Sequence, residues 1–302
     1  MRCEMIIDDL ALHGLAGAAD EADEADEAPV FHWAHANGYS GRTYQSLLLP
    51  ISDKMTVYAW DARGHGHSQL AADPNQHHDW YIYRDDMIAM LEVLVARHQQ
   101  KIILGGHSMG ATTSLLVAAE RPDLVRGLVL ADPVAFPKFF LWLEKIFRRL
   151  TGRSPEAKLV QGALNRKSIF QNHEEMWQRY HGRASFRSWG EVFLHDYITQ
   201  ATLPITDETG APALQLACAP AWEAANFSAQ GHDTYAALAK LATPYVILRG
   251  ETGSTVFHYR PFQKHPHCVA HEIVAGSSHF LPMEYPQAIT SALLNRLLPA
   301  LD

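Results

Sequence analysis

Short apolar runs rich in β-branched and aromatic residues recur along the chain, separated by stretches of helical periodicity. The runs that read as strands are Val30 to Ala36, Met55 to Trp60, Lys101 to Leu104, Gly127 to Ala131, Tyr245 to Arg249 and Cys268 to Val274. Between the second and third, Met87, Met90, Leu91, Leu94 and Val95 repeat at the spacing of one helical face. A further helix is marked by Ala111, Leu115, Leu116 and Ala119 and stops near Pro122. Strands that alternate with helices predict a mostly parallel, twisted sheet with helices on both faces. Two more strands are expected within Arg2 to Gly14, which brings the sheet to about eight.

The alternation stops after Asp132 and resumes near Thr243. A structureless loop of that length is improbable inside a compact domain, so a mainly helical insertion is expected. It divides the chain into a core of residues 1–134 and 240–302 and an inserted cap of residues 135–239. The insertion opens on an apolar stripe of Phe139, Phe140, Leu143, Ile146, Phe147 and Leu150, backed by Lys138, Lys145, Arg148 and Arg149. Such a stripe suits a lid over a pocket, a helix lying on a membrane surface, or plain insertion core. Trp142, Phe170, Trp177, Phe186, Trp189, Trp222 and Phe227 make the insertion aromatic-rich, which favours an apolar substrate beneath it.

Charge changes this picture little. The net charge is −8, but Asp20, Glu21, Asp23, Glu24, Asp26 and Glu27 lie in one repeated acidic segment, and the rest of the 302 residues is nearly neutral. No broad cationic field for nucleic acid is present, and a small neutral substrate fits better. Cys3, Cys218 and Cys268 are widely spaced and odd in number, so neither a disulfide framework nor a zinc site is suggested. The start lacks the charged and apolar regions of an export signal, and no apolar run approaches the ~20 residues of a membrane span. A cytoplasmic protein, monomeric or homodimeric and without stable membrane insertion, is the expectation.

The candidate chemistry lies at "IILGGHSMGA" (102–111), where one hydroxyl sits between glycines directly after an apolar run. Gly106-His107-Ser108-Met109-Gly110 matches G-x-S-x-G, in which glycines permit a strained strand-to-helix turn that lifts the serine clear of the sheet. A serine hydroxyl needs a base, a third group that orients the base, and donors for the oxyanion. His107, inside the turn, must point away from the site if Ser108 points into it, and reads as structural. Met109, at a helix N-terminus, supplies one backbone N–H for the oxyanion.

With "HANGYSG" (35–41), "DARGHGHS" (61–68) and "GSSHFLPMEYP" (276–286), this turn resembles the α/β-hydrolase family over nearly the whole chain. The resemblance implies that His279 is the base and that the Tyr39 N–H is the second oxyanion donor. It implies no cofactor and no metal. In much of the family the triad acid is an aspartate shortly after the penultimate strand, where this chain reads Arg249-Gly250-Glu251-Thr252. Relatives such as the haloalkane dehalogenases place it after the preceding strand, which corresponds to Asp132, so Asp132 is favoured and Glu251 stands second.

A serine esterase-type hydrolase acting on a small, largely apolar acyl ester is the functional expectation. Carbon-carbon bond hydrolases, acyltransferases and cofactor-free haloperoxidases use the same three residues, and a non-catalytic binder with a degenerate triad remains a rival. Arg63-Gly64-His65-Gly66-His67 reads as a braced turn. His265, His267, Cys268 and His271 straddle a strand whose neighbours face opposite ways, which argues against a shared metal.

Overall fold

The computed structural model describes residues 28–139 and 155–301, together with Trp142 and Ile146. The strands expected within Arg2 to Gly14, the acidic repeat and most of the Phe139 to Leu150 stripe lie outside the described residues. Strands β1 (Val30–Ala34), β2 (Thr56–Ala59), β3 (Ile102–His107), β4 (Val125–Ala131), β8 (Tyr245–Gly250) and β9 (Cys268–Val274) form one parallel sheet in the order β2-β1-β3-β4-β8-β9. Among the described residues the sheet therefore has six strands where about eight were expected.

Why these runs become strands is visible in how each side chain is used. In β1, Val30 and Ala34 enter the core on one face while Phe31 and Trp33 enter the core on the other. Helices α2 (Tyr81–His98) and α3 (Met109–Glu120) cover the first face through Met87, Leu91, Leu94, Ala111 and Leu115. Helix α1 (Gln45–Ser52) covers the second through Leu47, Leu48 and Ile51, joined by Leu293 and Leu297 near the end of the chain. A parallel sheet buried on both faces requires such near-continuous apolar runs, which in β1 only the buried His32 interrupts.

Strand β3 runs three residues beyond the expected Leu104, through Gly105, Gly106 and His107. Those glycines continue the strand because their neighbours leave no room for a side chain. A Cβ on Gly105 would come within 2.6 Å of the Phe31 ring.

The insertion holds helices α4 (Pro155–Leu164), α5 (His173–Tyr180), α6 (Glu191–Gln200) and α7 (Pro220–Ser228). It also contains a three-stranded antiparallel sheet of β5 (Ile169–Phe170), β6 (Thr202–Thr206) and β7 (Pro212–Leu216) in the order β5-β7-β6, which periodicity did not anticipate. The signal was present in Asp207-Glu208-Thr209-Gly210, where Asp207 Oδ1 accepts from the Thr209 and Ala211 N–H groups. Helix α8 (Thr234–Lys240) follows, and its Thr234 hydroxyl donates to the Val134 carbonyl just beyond β4. After β8 come α9 (Arg260–Lys264), β9, and then α10 (Leu281–Glu284) and α11 (Pro286–Ser291).

Candidate active site

Register places the site at the carboxyl ends of the strands, where open α/β sheets bind ligands. His107 pairs with Ala131 across β3 and β4, so Ser108 and Asp132 are the next residue on adjacent strands. The ladder continues one bond further, with Ser108 N–H donating to the Ala131 carbonyl at 3.0 Å and Asp132 N–H to the Leu248 carbonyl at 2.8 Å.

Ser108 has φ 54° and ψ −115°, and α3 begins at the next residue. A left-handed φ is rare for a residue with a side chain and persists only where the surroundings enforce it. Two close approaches do so here. A Cβ at Gly110 would stand 2.2 Å from the Ala34 carbonyl oxygen, and one at Gly106 would stand 2.5 Å from the Gly110 carbonyl carbon. The bend thus brings α3 down onto the end of β1, with the Met109 N–H among the first-turn amides that have no carbonyl of their own helix to meet.

The segment from 276 to 286 brings His279 over this bend. Ser108 Oγ–H donates to His279 Nε2 at 3.0 Å, and His279 Nδ1–H donates to Asp132 Oδ2 at 2.6 Å. Asp132 is fully buried, whereas the His279 side chain keeps 19% exposure. The structure therefore brings Ser108, His279 and Asp132 into one hydrogen-bonded chain. It does not bring Glu251 into it: that carboxylate, at the surface, accepts the Gly276 N–H at 2.9 Å.

The Tyr39 N–H, expected as an oxyanion donor, instead donates to the Ala36 carbonyl at 3.2 Å in the turn that follows β1. Its ring stands edge-on to Trp189 and Tyr197 of the insertion, with centroids 5.4 and 5.5 Å away, and burial pushes its hydroxyl pKa up. Asn37 Nδ2–H donates to the Glu223 carbonyl in α7 at 3.0 Å, and Glu223 Oε2 accepts from Arg166 at 2.6 Å. Arg166 also donates to the Tyr197 hydroxyl. A polar cluster from the insertion thus rests directly on the Asn37-Gly38 loop, and the sequence reading missed it because its members lie far apart in the chain.

His107 turns away from the serine, as read from the motif, but its ring is tied to the site. The Tyr44 hydroxyl donates to His107 Nδ1 at 2.7 Å, and His107 Nε2–H donates to the backbone carbonyl of His279 at 2.8 Å. Burial, reinforced by any positive charge on His279, holds the His107 pKa well below the usual histidine range. Neutral His107 is the form that can both accept and donate. The Gly64-Gly66 turn is braced in the same manner. Asp61 Oδ1 and Oδ2 take the N–H groups of Gly41 and His67, and Arg63 pairs with Asp86 at 2.7 Å. Among the described residues no three His, Cys, Asp or Glu side chains converge as metal ligands, and His271 stacks on Tyr259.

A parallel sheet capped by a strained serine turn defines an α/β-hydrolase, and comparison with known proteins agrees. A family model described as serine aminopeptidase, S33 (Hydrolase_4) matches residues 23–184, and the chain belongs to this α/β-hydrolase family. It is similar to 2-(acetamidomethylene)succinate hydrolase of Mesorhizobium japonicum, at 35% identity over 104 residues, covering 34% of this chain and 35% of that protein. Mouse monoglyceride lipase is 36% identical over 103 residues, 33% of either chain, and the monkeypox virus monoglyceride lipase homolog is 30% identical over 145 residues, 46% of this chain and 51% of its own. The chain thus spans about a third to a half of the length of these relatives.

Across the whole fold, a crystal structure of E-2-(acetamidomethylene)succinate hydrolase superposes with a TM-score of 0.69 at 22% identity, covering 89% of this chain and 91% of that one. The thioesterase domain from the curacin biosynthetic pathway gives 0.62 at 18%, with the same coverage. These likenesses show the α/β-hydrolase fold across nearly the whole chain. No helix among the described residues is long and apolar enough to cross a membrane.

Proposed function

We propose that the protein is a serine hydrolase that cleaves a carboxylic ester, or a similar acyl bond, through an acyl-enzyme on Ser108. The observation that carries this reading is the continuous chain Ser108 Oγ, His279 Nε2, His279 Nδ1, Asp132 Oδ2, with both links at hydrogen-bond length. As Ser108 Oγ attacks the carbonyl carbon, His279 Nε2 takes its proton, and buried Asp132 stabilises the imidazolium from the other side. The proton then passes to the leaving alkoxide. Water, deprotonated by the same nitrogen, releases the acid.

The Met109 N–H is the first donor to the oxyanion, and a donor of this kind contributes on the order of 10²- to 10³-fold to rate. The Tyr39 N–H is the second, and it serves once it is shared with or released from the Ala36 carbonyl. We read residues 135–239 as a cap. Support comes from Trp189, whose ring lies 5.8 Å from Phe280, beside the base, and 5.4 Å from Tyr39. Monoglyceride lipases and putative esterases among the relatives favour an ester. The free thiols of Cys218 and Cys268 are in keeping with a reducing compartment such as the cytoplasm.

The test is covalent labelling. A fluorophosphonate should form one adduct per folded chain at Ser108, and Ser108→Ala should abolish both labelling and hydrolysis of nitrophenyl butyrate. Folded protein that takes no label would instead be a binder on a hydrolase scaffold. A panel of nitrophenyl esters of increasing acyl length, beside a carbon-carbon hydrolase substrate, separates the chemistries that share these three residues.

A further inference from the structure

The loop that follows β8, where much of the family carries its acid, reads Gly250-Glu251-Thr252-Gly253-Ser254-Thr255. Two hydroxyl residues in it turn toward Asp132. Ser254 Oγ–H donates to Asp132 Oδ1 at 2.5 Å, while the Thr255 N–H donates at 3.1 Å to Oδ2, the oxygen that also holds His279. Thr255 Oγ1–H is shared between the carbonyls of Asp132 and Pro133, at 3.0 and 3.1 Å. The same oxygen lies 3.5 Å from His279 Nδ1. The Ser254 oxygen, in turn, accepts the Val256 N–H at 3.2 Å and the Arg249 Nε–H at 3.4 Å.

These bonds answer a physical need. Asp132 has φ 45°, a left-handed backbone that must be held, and its carboxylate is fully buried, where an anion needs hydrogen-bond donors around it. The last torsion of an aspartate is soft, so a carboxylate bound only to His279 could rotate and carry either oxygen off the line of the imidazole. Ser254 fixes the second oxygen and with it the carboxylate plane, and Thr255 clamps the backbone on which the group is mounted. A hydroxyl that already accepts from an amide and a guanidinium is polarised toward donation, which strengthens its bond to the anion.

We propose that Ser254 and Thr255 are positioning residues for the acid: this loop, whose one carboxylate, Glu251, is turned to the surface, has become the seat of Asp132. The proposal rests on the reading of Ser108, His279 and Asp132 as the catalytic groups. It assigns Ser254 a role through Asp132 alone, so substrate affinity should not depend on it.

The test compares wild type with Ser254→Ala, Ser254→Thr and Thr255→Val, by the rate of fluorophosphonate labelling of Ser108 as a function of probe concentration. Loss of a bond to a charged, buried group predicts a fall of roughly ten- to a hundredfold in the maximal labelling rate of Ser254→Ala, with the half-saturating concentration unchanged. Ser254→Thr keeps the hydroxyl and should recover most of the rate, and Thr255→Val should fall between the two. If Ser254→Ala does not fold, Ser254→Cys takes its place and should label more slowly than Ser254→Thr. A Ser254→Ala protein that labels at the wild-type rate, a threonine variant as slow as the alanine one, or a change confined to half-saturation overturns the positioning role while Ser108 stands. Wild type that does not label at all overturns the reading of the site and this proposal with it.

Discussion

His107 donates from Nε2 to the backbone carbonyl of His279 at 2.8 Å, and the two rings lie 4.9 Å apart. The residue beside the nucleophile therefore holds the residue proposed as its base. The bond belongs to a longer chain, since the Ala36 N–H donates to the Tyr44 hydroxyl at 3.3 Å and that hydroxyl donates to His107. The loop after β1, the serine turn and the histidine loop are thereby joined through one buried imidazole. His107→Phe keeps the ring volume and loses both bonds, so kcat for nitrophenyl butyrate should fall about tenfold with little change in KM. His107→Gln, which can still donate to the His279 carbonyl, should recover part of the loss. Equal effects of the two substitutions would show that the hydrogen bond is not what matters.

The assignment of the acid makes a second prediction. Asp132 alone contacts His279 Nδ1 as a carboxylate, and Glu251 is occupied at the surface by Gly276. Asp132→Asn should lower kcat on the order of 10⁴-fold, because the amide cannot hold the imidazole in the required tautomer. Glu251→Gln should leave kcat within about a factor of two, as expected of an exposed position. Steady-state kinetics on both variants decides between them, and the reverse ranking would move the acid to β8.

Much of this site could be read in the chain because its chemistry follows element ends. Ser108 is marked by glycines that a helix and a strand both need at contact distance, and Asp132 and His279 by their place just beyond β4 and β9. Periodicity failed where close packing overrode it. Gly105 and Gly106 looked like the end of a strand, yet they carry β3 further because Phe31 and α3 occupy the space a side chain would take. Short strands such as Ile169–Phe170 are too brief for alternation to register. Ser254, Tyr44 and Arg166 gave no local signal at all, since each acquires its role from a partner more than thirty residues away.

The bend itself should be intolerant of a single methyl group. A Cβ on Gly110 would press on backbone oxygens of Ala34 and His35, at 2.2 and 2.7 Å, where no side chain can swing aside. Gly110→Ala should therefore cost about 3 kcal/mol or more. Gly162 in α4 offers the contrast, since its Cβ would meet nothing within 4 Å. Gly162→Ala should stabilise the helix by about 0.5–1 kcal/mol. Urea midpoints of the two variants should move in opposite directions, and a neutral Gly110→Ala would mean that the turn can open.

Buried histidines should also make the fold sensitive to acid. Burial lowers the pKa of His32 and of His65 to about 3 and that of His232 to about 4, whereas each titrates near 6.5 when exposed. Between those values the unfolded chain binds protons that the folded chain refuses. Stability is thus unaffected by these groups above about pH 6.5 and falls as the pH drops below it, by roughly 1.4 kcal/mol per pH unit for each histidine. His35 and His107, lowered by burial in the same direction, steepen the slope. Urea midpoints should therefore decline sharply between about pH 6.5 and pH 5. His232 stacks on Trp80 with ring centroids 4.6 Å apart, and His232→Phe preserves that stack without the titrating group. This variant should lose less stability on acidification than wild type. A slope identical in the two proteins would place the acid sensitivity elsewhere in the chain.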